Sequence, residues 1–122
     1  MHAGTVADQD ALARLLAVEK ANAAERIASL TEDLDRLIQA SVGANADDEH
    51  DPEGATIAFE RAQLAALLAG FRQRLADLDR ATARLAAGTY GRCESCSEPI
   101  SAERLAVRPT TTSCVRCATA RR

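Results

Sequence analysis

The chain has almost no aromatic side chains: two Phe, one Tyr and no Trp in 122 residues. Its hydrophobic share is 47%, but 27 of those residues are alanine. Alanine buries little area, which excludes a thick globular core. A chain rich in Ala, Leu, Glu and Arg fits long helices joined along a thin apolar seam. Proline occurs three times and glycine six times, so long stretches run without a breaker. No apolar run reaches the ~18 residues of a membrane span. No apolar h-region follows Met1-His2-Ala3-Gly4, so no secretory signal is read there and a cytoplasmic setting is expected. There is no Gly-rich phosphate loop, no Rossmann fingerprint and no Ser/His/Asp arrangement. His2 and His50 are the only histidines, far apart, and His50 lies in a polar segment. The expectation is a protein that is not an enzyme.

Positive charge is also scarce over most of the chain. Residues 1–88 hold 9 Lys/Arg against 15 Asp/Glu, a balance of −6. Residues 89–122 hold 6 Arg against 3 Glu, a balance of +3. The net charge of −3 makes the whole chain a poor non-specific DNA binder.

The chain does have cysteine in a pattern. Cys93-Glu94-Ser95-Cys96 and Cys114-Val115-Arg116-Cys117 form two C-x-x-C pairs with 17 residues between them. That spacing is characteristic of a four-cysteine zinc site. Each turn aims two thiolates at one metal, and two turns fill a tetrahedral Zn²⁺. No position remains for water, so one structural zinc is expected, held by Cys93, Cys96, Cys114 and Cys117. A disulfide framework needs an oxidising compartment. A redox dithiol needs only one pair and usually a βαβ context. Zinc with four thiolates adds about −2 and leaves the finger close to neutral.

Residues 6–42 read as one helix. Leu16, Ala23, Ile27, Leu30, Leu34 and Leu37 recur at multiples of three and four, with Lys20 the polar exception. Thr5 and Asp8 make a capping box, and Gly43 stops the helix. Residues 52–87 read as a second helix. Leu64, Leu68, Phe71, Leu75, Leu78, Thr82 and Leu85 alternate 4-3-4-3-4-3, a sustained heptad seam. Asp51 serves as N-cap, Pro52 opens the helix and Gly88 closes it. Gly70 is read as a place of close helix approach.

Two such helices joined by a short polar segment pair most simply as an antiparallel hairpin, each helix roughly 50 Å long. A parallel dimer of separate coiled coils also matches the heptads. The expected fold is all-α: a long antiparallel coiled-coil hairpin over 1–88 and a small four-cysteine zinc finger over 89–122. The chain start and the finger then share one end of the hairpin, and an acidic tip over 43–54 forms the other. In the finger, Ser101 to Leu105 is expected to make one helical turn, and Ala118 to Arg122 a short terminal one.

The tip is acidic. Asp47, Asp48, Glu49, Asp51 and Glu53 fall within seven residues. Carboxylates at the end of a long support approach a bound Mg²⁺ or a basic channel, or simply keep a loop soluble. The arginines of the finger, Arg92, Arg104, Arg108, Arg116, Arg121 and Arg122, suit phosphate or a protein carboxylate, or are plain surface. Tyr90 is the only aromatic of the finger, so there is no stacking platform for single-stranded nucleic acid.

The string Tyr90-Gly91-Arg92-Cys93-Glu94-Ser95-Cys96, then Ile100, Arg104-Leu105, Arg108-Pro109-Thr110 and Cys114-Val115-Arg116-Cys117, resembles the DksA/TraR family of bacterial zinc-finger proteins. The resemblance is close over 89–117 and looser over the preceding hairpin. It implies a regulator of RNA polymerase. Such proteins insert the coiled-coil tip into the secondary channel, toward the catalytic Mg²⁺. On this resemblance Asp47, Asp48, Glu49, Asp51 and Glu53 are the tip residues at the active centre. Arg92, Arg104 and Arg108 are then contacts to the channel rim. Where family members carry Asp-x-x-Asp-x-Ala at the tip, this chain has Asp51-Pro52-Glu53-Gly54-Ala55-Thr56, or Asp48-x-x-Asp51 in a shifted register. Some members act jointly with the alarmone ppGpp, but this sequence indicates no site for it. RNA polymerase is the expected partner, with no sequence-specific DNA contact and no membrane. The rival readings are a nucleic-acid-binding zinc module and a structural coiled-coil adaptor.

Overall fold

The structure, a computed structural model, describes residues 6–42 and 52–120. Those residues form four helices: α1 Val6–Val42, α2 Pro52–Ala87, α3 Ala102–Val107 and α4 Val115–Ala120. Among the described residues there is no strand, only an isolated antiparallel bridge between Arg92 and Pro99. No helix is long and apolar enough to cross a membrane, among the described residues. The two long helices pack together as a coiled-coil hairpin.

Both long helices have the bounds that periodicity and breakers predict. Thr5, Gly43 and Asp51, expected as caps and stop, lie outside the described residues. The end of α2 is fully visible. Gly88 takes φ +82, a left-handed conformation that a Cβ disfavours. The Thr89 N–H donates to the Arg84 carbonyl at 2.9 Å and the Gly88 N–H to the Leu85 carbonyl at 3.2 Å. This pair of bonds is a Schellman motif, and it satisfies carbonyls that the last turn leaves open.

The chain divides into two compact units. The first is Asn22–Leu75, and its described residues are all helical. Its seam buries Ala23, Leu30 and Leu68, flanked by half-buried Ile27, Leu34, Leu37, Leu64, Phe71 and Leu75. The Arg26 guanidinium lies over the Phe71 ring, 5.2 Å from its centre. Gly70 does not mediate the close approach expected of it. It is exposed, and a Cβ there would meet nothing within 4 Å. Gly70 belongs to the outer side of α2, where glycine has no packing role.

The second unit comprises Met1–Ala21 with Ala76–Arg122. Here Leu16, Leu78 and Ala81 are buried on the helices. Lys20 interrupts the apolar seam but has a partner: its Nζ stands 3.1 Å from Asp79 on α2. Thr82 occupies a seam position and donates its hydroxyl to the Leu78 carbonyl at 2.8 Å, so the seam carries no unsatisfied hydroxyl there. The finger has a core of its own, Cys93, Ile100 and Leu105, against which Tyr90 and the other three cysteines pack. Ile100, Leu105 and Ala106 share an apolar cleft with Ala11, Leu12 and Leu15 of α1.

Candidate metal centre

The first knuckle is a tight antiparallel turn. The Cys93 N–H donates to the Glu98 carbonyl and the Ser97 N–H to the Cys93 carbonyl, both at 2.9 Å. Ser97 pays for the turn with φ 65, an uncommon value for a residue with a Cβ. Gly91, at φ +86, brings the chain in beside Leu105. Its carbonyl accepts from the Ile100 N–H at 2.7 Å.

The second knuckle opens α4. Cys114 precedes this helix and Cys117 lies within it. The terminal helical turn expected at Ala118 therefore begins three residues earlier, inside the C-x-x-C itself. The Ala118 N–H closes it on the Cys114 carbonyl at 2.9 Å.

Long-range hydrogen bonds hold the knuckles face to face. The Glu94 N–H donates to the Thr112 carbonyl at 2.8 Å. The Tyr90 hydroxyl donates to the Pro109 carbonyl at 2.8 Å. Burial pushes the Tyr90 pKa up, and the nearby positive charge of Arg84 opposes that shift. Ser101 caps α3 by accepting from the Arg104 N–H at 3.2 Å. Arg104 then reaches across to the second knuckle: Nε donates to the Ser113 carbonyl at 2.9 Å and Nη2 to the Thr111 hydroxyl at 3.3 Å.

The result is a cluster of four thiols. All four sulfur atoms lie within 4.8 Å of one another, and Cys96 and Cys114 are 3.8 Å apart. Sulfurs bound at ~2.3 Å to a tetrahedral Zn²⁺ stand ~3.8 Å from each other. The donor set and its spacing therefore fit zinc. The cysteines are free thiols, as metal ligation requires.

The protein also prepares the cluster electrostatically. Backbone N–H groups of Cys114 and Cys96 point at the Cys93 sulfur and lower its pKa to about 6. The Cys117 N–H, 3.4 Å from the Cys114 sulfur, lowers that of Cys114. Cys117 is pushed up to about 12, because its thiol donates to the Cys114 sulfur and faces Cys93 and Cys96 as well. Four thiols this close cannot all ionise on their own. A bound Zn²⁺ supplies the charge that removes the remaining protons.

The sequence-predicted residues fall into three groups. Cys93, Cys96, Cys114 and Cys117 are brought together. Asp47, Asp48, Glu49, His50 and Asp51 of the tip, with Arg121 and Arg122, lie outside the described residues; Glu53 is exposed in the first turn of α2. The remaining finger arginines differ from one another. Arg108 is exposed, and exposed Arg92 donates from Nη1 to the Ser97 carbonyl at 3.0 Å. Arg104 is half-buried and ties α3 to the second knuckle. Arg116 sits beside the cluster, where a hydrogen bond to the Cys96 sulfur and the cluster's charge raise its pKa further. No spacing rule marks Arg104 or Arg116 as a support of the metal centre, since their acceptors come from fold contacts.

A helical hairpin carrying a closed four-cysteine zinc finger defines the class of protein. Residues 88–122 match the prokaryotic dksA/traR C4-type zinc finger. The fold resembles the structure of transcription factor DksA2 from Pseudomonas aeruginosa, with a TM-score of 0.82 and 28% identity, over 95% of this chain and 84% of that one. A comparison with curated proteins finds no match. The chain thus carries a C-terminal finger of the DksA/TraR C4 type and has a fold similar to that of DksA2.

Proposed function

We propose that this chain is a transcription regulator that binds RNA polymerase through its secondary channel. The observation that carries the reading is a dksA/traR finger on a hairpin that matches a transcription factor over 95% of this chain. In this reading the hairpin, residues 1–88, enters the channel. Asp47, Asp48, Glu49, Asp51 and Glu53 act near the active centre, where carboxylates meet Mg²⁺ and its waters. The finger, residues 89–122, braces the base of the hairpin and meets the channel rim through Arg92 and Arg108. Arg104, engaged within the finger, has less of its guanidinium to offer the rim.

The activity is binding and not catalysis, because four thiolates leave zinc no open position. The finger makes no sequence-specific DNA contact, and the protein works in the cytoplasm with the polymerase.

The test uses purified RNA polymerase, with wild-type protein and the double variant Asp48→Asn/Asp51→Asn. Asn keeps size and polarity and still caps a helix. The variant is expected to bind polymerase as wild type does and to lose its effect on initiation. Full regulation by the variant would leave the tip charges as mere solubilisers. Loss of binding would make the tip an anchor instead of an effector. A wild-type protein that does not bind polymerase would end the reading.

A further inference from the structure

Within the unit that holds the finger, α1 starts beyond the point where α2 ends. Lys20 on α1 stands across from Asp79 on α2. The two helices run antiparallel, so eight residues toward the start of α1 match eight toward the end of α2. That step sets Leu12 level with Ala87, the last residue of α2. The part of α1 before Leu12 therefore has no α2 surface to lie on. What lies beside it is the finger. Leu12 and Leu15 are half-buried, and with Ala11 they form one wall of a cleft of about 280 Å³. The facing wall includes Ile100, Leu105 and Ala106. Ile100 and Leu105 are also the core of the metal centre: they are buried with Cys93, and the other three cysteines pack against them. The Gly91 carbonyl, two residues before Cys93, accepts from the Ile100 N–H at 2.7 Å.

A helix end without tertiary packing frays, because most helical stability in a protein comes from a packed apolar face. The start of α1 takes that packing from Ile100 and Leu105. Those two are ordered only with the finger, and metal binding supplies the folding free energy of such a module. We infer that the start of α1 belongs to the folding unit of the metal centre: zinc binding fixes it in place, and Leu12 in turn helps the chain to retain zinc. The second half follows from the first, since a coupling free energy is the same read from either side. Leu12 is then a positioning residue for a metal whose ligands all lie at the other end of the sequence. The division of the chain agrees with this, because it groups Met1–Ala21 with Ala76–Arg122 and leaves the rest of both long helices apart.

The test measures the zinc affinity of the full chain by competition with a chelator of known strength. Leu12→Ala is expected to weaken it about tenfold, an ordinary size for coupling between two sites. Alanine is the best helix former, so the loss comes from the contact and not from the helix itself. Leu30→Ala is the control. Leu30 is buried on α1 in the other unit, so its truncation should lower the urea midpoint and leave zinc affinity unchanged. Hydrogen exchange reads the coupling from the other side. Removing zinc should speed exchange of the amides of residues 10–15, while those of residues 27–34 keep their protection. Unchanged zinc affinity in Leu12→Ala, or exchange at 10–15 indifferent to zinc, overturns the inference. Equal weakening by Leu30→Ala overturns it too, because the coupling would then run through the whole hairpin and not through the start of α1.

Discussion

Leu78→Ala probes the seam at its most enclosed point. Leu78 has 0% of its surface exposed, and among the described residues the other buried positions of the two long helices in its unit are Leu16 and Ala81. Truncation removes three carbons from a site that water does not reach. At ~0.8 kcal/mol per buried methylene, the transfer cost alone is about 2.4 kcal/mol. A residual cavity adds to it, because a seam with Ala81 and Ala23 at buried positions has few long side chains able to fill a gap. The expected loss is about 3–4 kcal/mol, inside the range seen for buried Leu→Ala changes. That is a large part of the ~5–15 kcal/mol that holds a small domain folded. Val18→Ala on α1 is the control. Val18 is 56% exposed, so its truncation should change stability by less than about 0.5 kcal/mol. Urea unfolding followed by far-UV circular dichroism, in zinc-saturated buffer, gives both values. The midpoint should fall for Leu78→Ala with an unchanged slope. Equal midpoints for the two variants would refute the seam as the source of hairpin stability.

Three further outcomes are expected. The purified protein should hold about one equivalent of zinc, and a strong chelator should unfold the finger while the hairpin keeps most of its helix; less than half an equivalent, or a finger indifferent to chelation, contradicts the four-thiolate site. Arg104→Ala should cost about 1.5–3 kcal/mol, the worth of hydrogen bonds from a charged donor, and speed zinc release to a chelator; Arg108→Ala, at an exposed position, should leave zinc release unchanged, and equal rates for the two would remove Arg104 from the support of the centre. Gly91→Ala should destabilise the finger by about 1–2 kcal/mol through its left-handed φ, since the added Cβ would sit an ordinary 3.5 Å from Leu105 and clash with nothing; a variant as stable as wild type would show that the conformation is not required.

Much of the fold was legible in local patterns. The period of Leu16, Ala23, Leu30 and Leu37 on one helix, and of Leu64 to Leu85 on the other, is a property of residues three and four apart. Such neighbours share a helix face whatever the rest of the chain does. Pro52 and Gly88 bounded α2 for the same reason, because backbone preference at one residue suffices to start or stop a turn. The metal donors were legible because two C-x-x-C turns at that separation have few other uses in a reduced chain.

The polar residues were legible only as types. Lys20 reads as a flaw in the seam until Asp79, far along the chain, is placed beside it. Arg104 and Arg116 read like the other finger arginines until Ser113, Thr111 and Cys96 are brought within reach. Gly70 suggests close packing by its residue type, yet its side of α2 is open. Phe59 has the residue type of a core position, but the phase of the seam places it outside. Sequence alone thus determined the helices, their apolar stripes and the four thiols, because each follows from near neighbours in the chain. Tertiary structure decided which charges pair, which arginines support the metal centre and which aromatic is left exposed, because those depend on contacts between residues that only folding brings together.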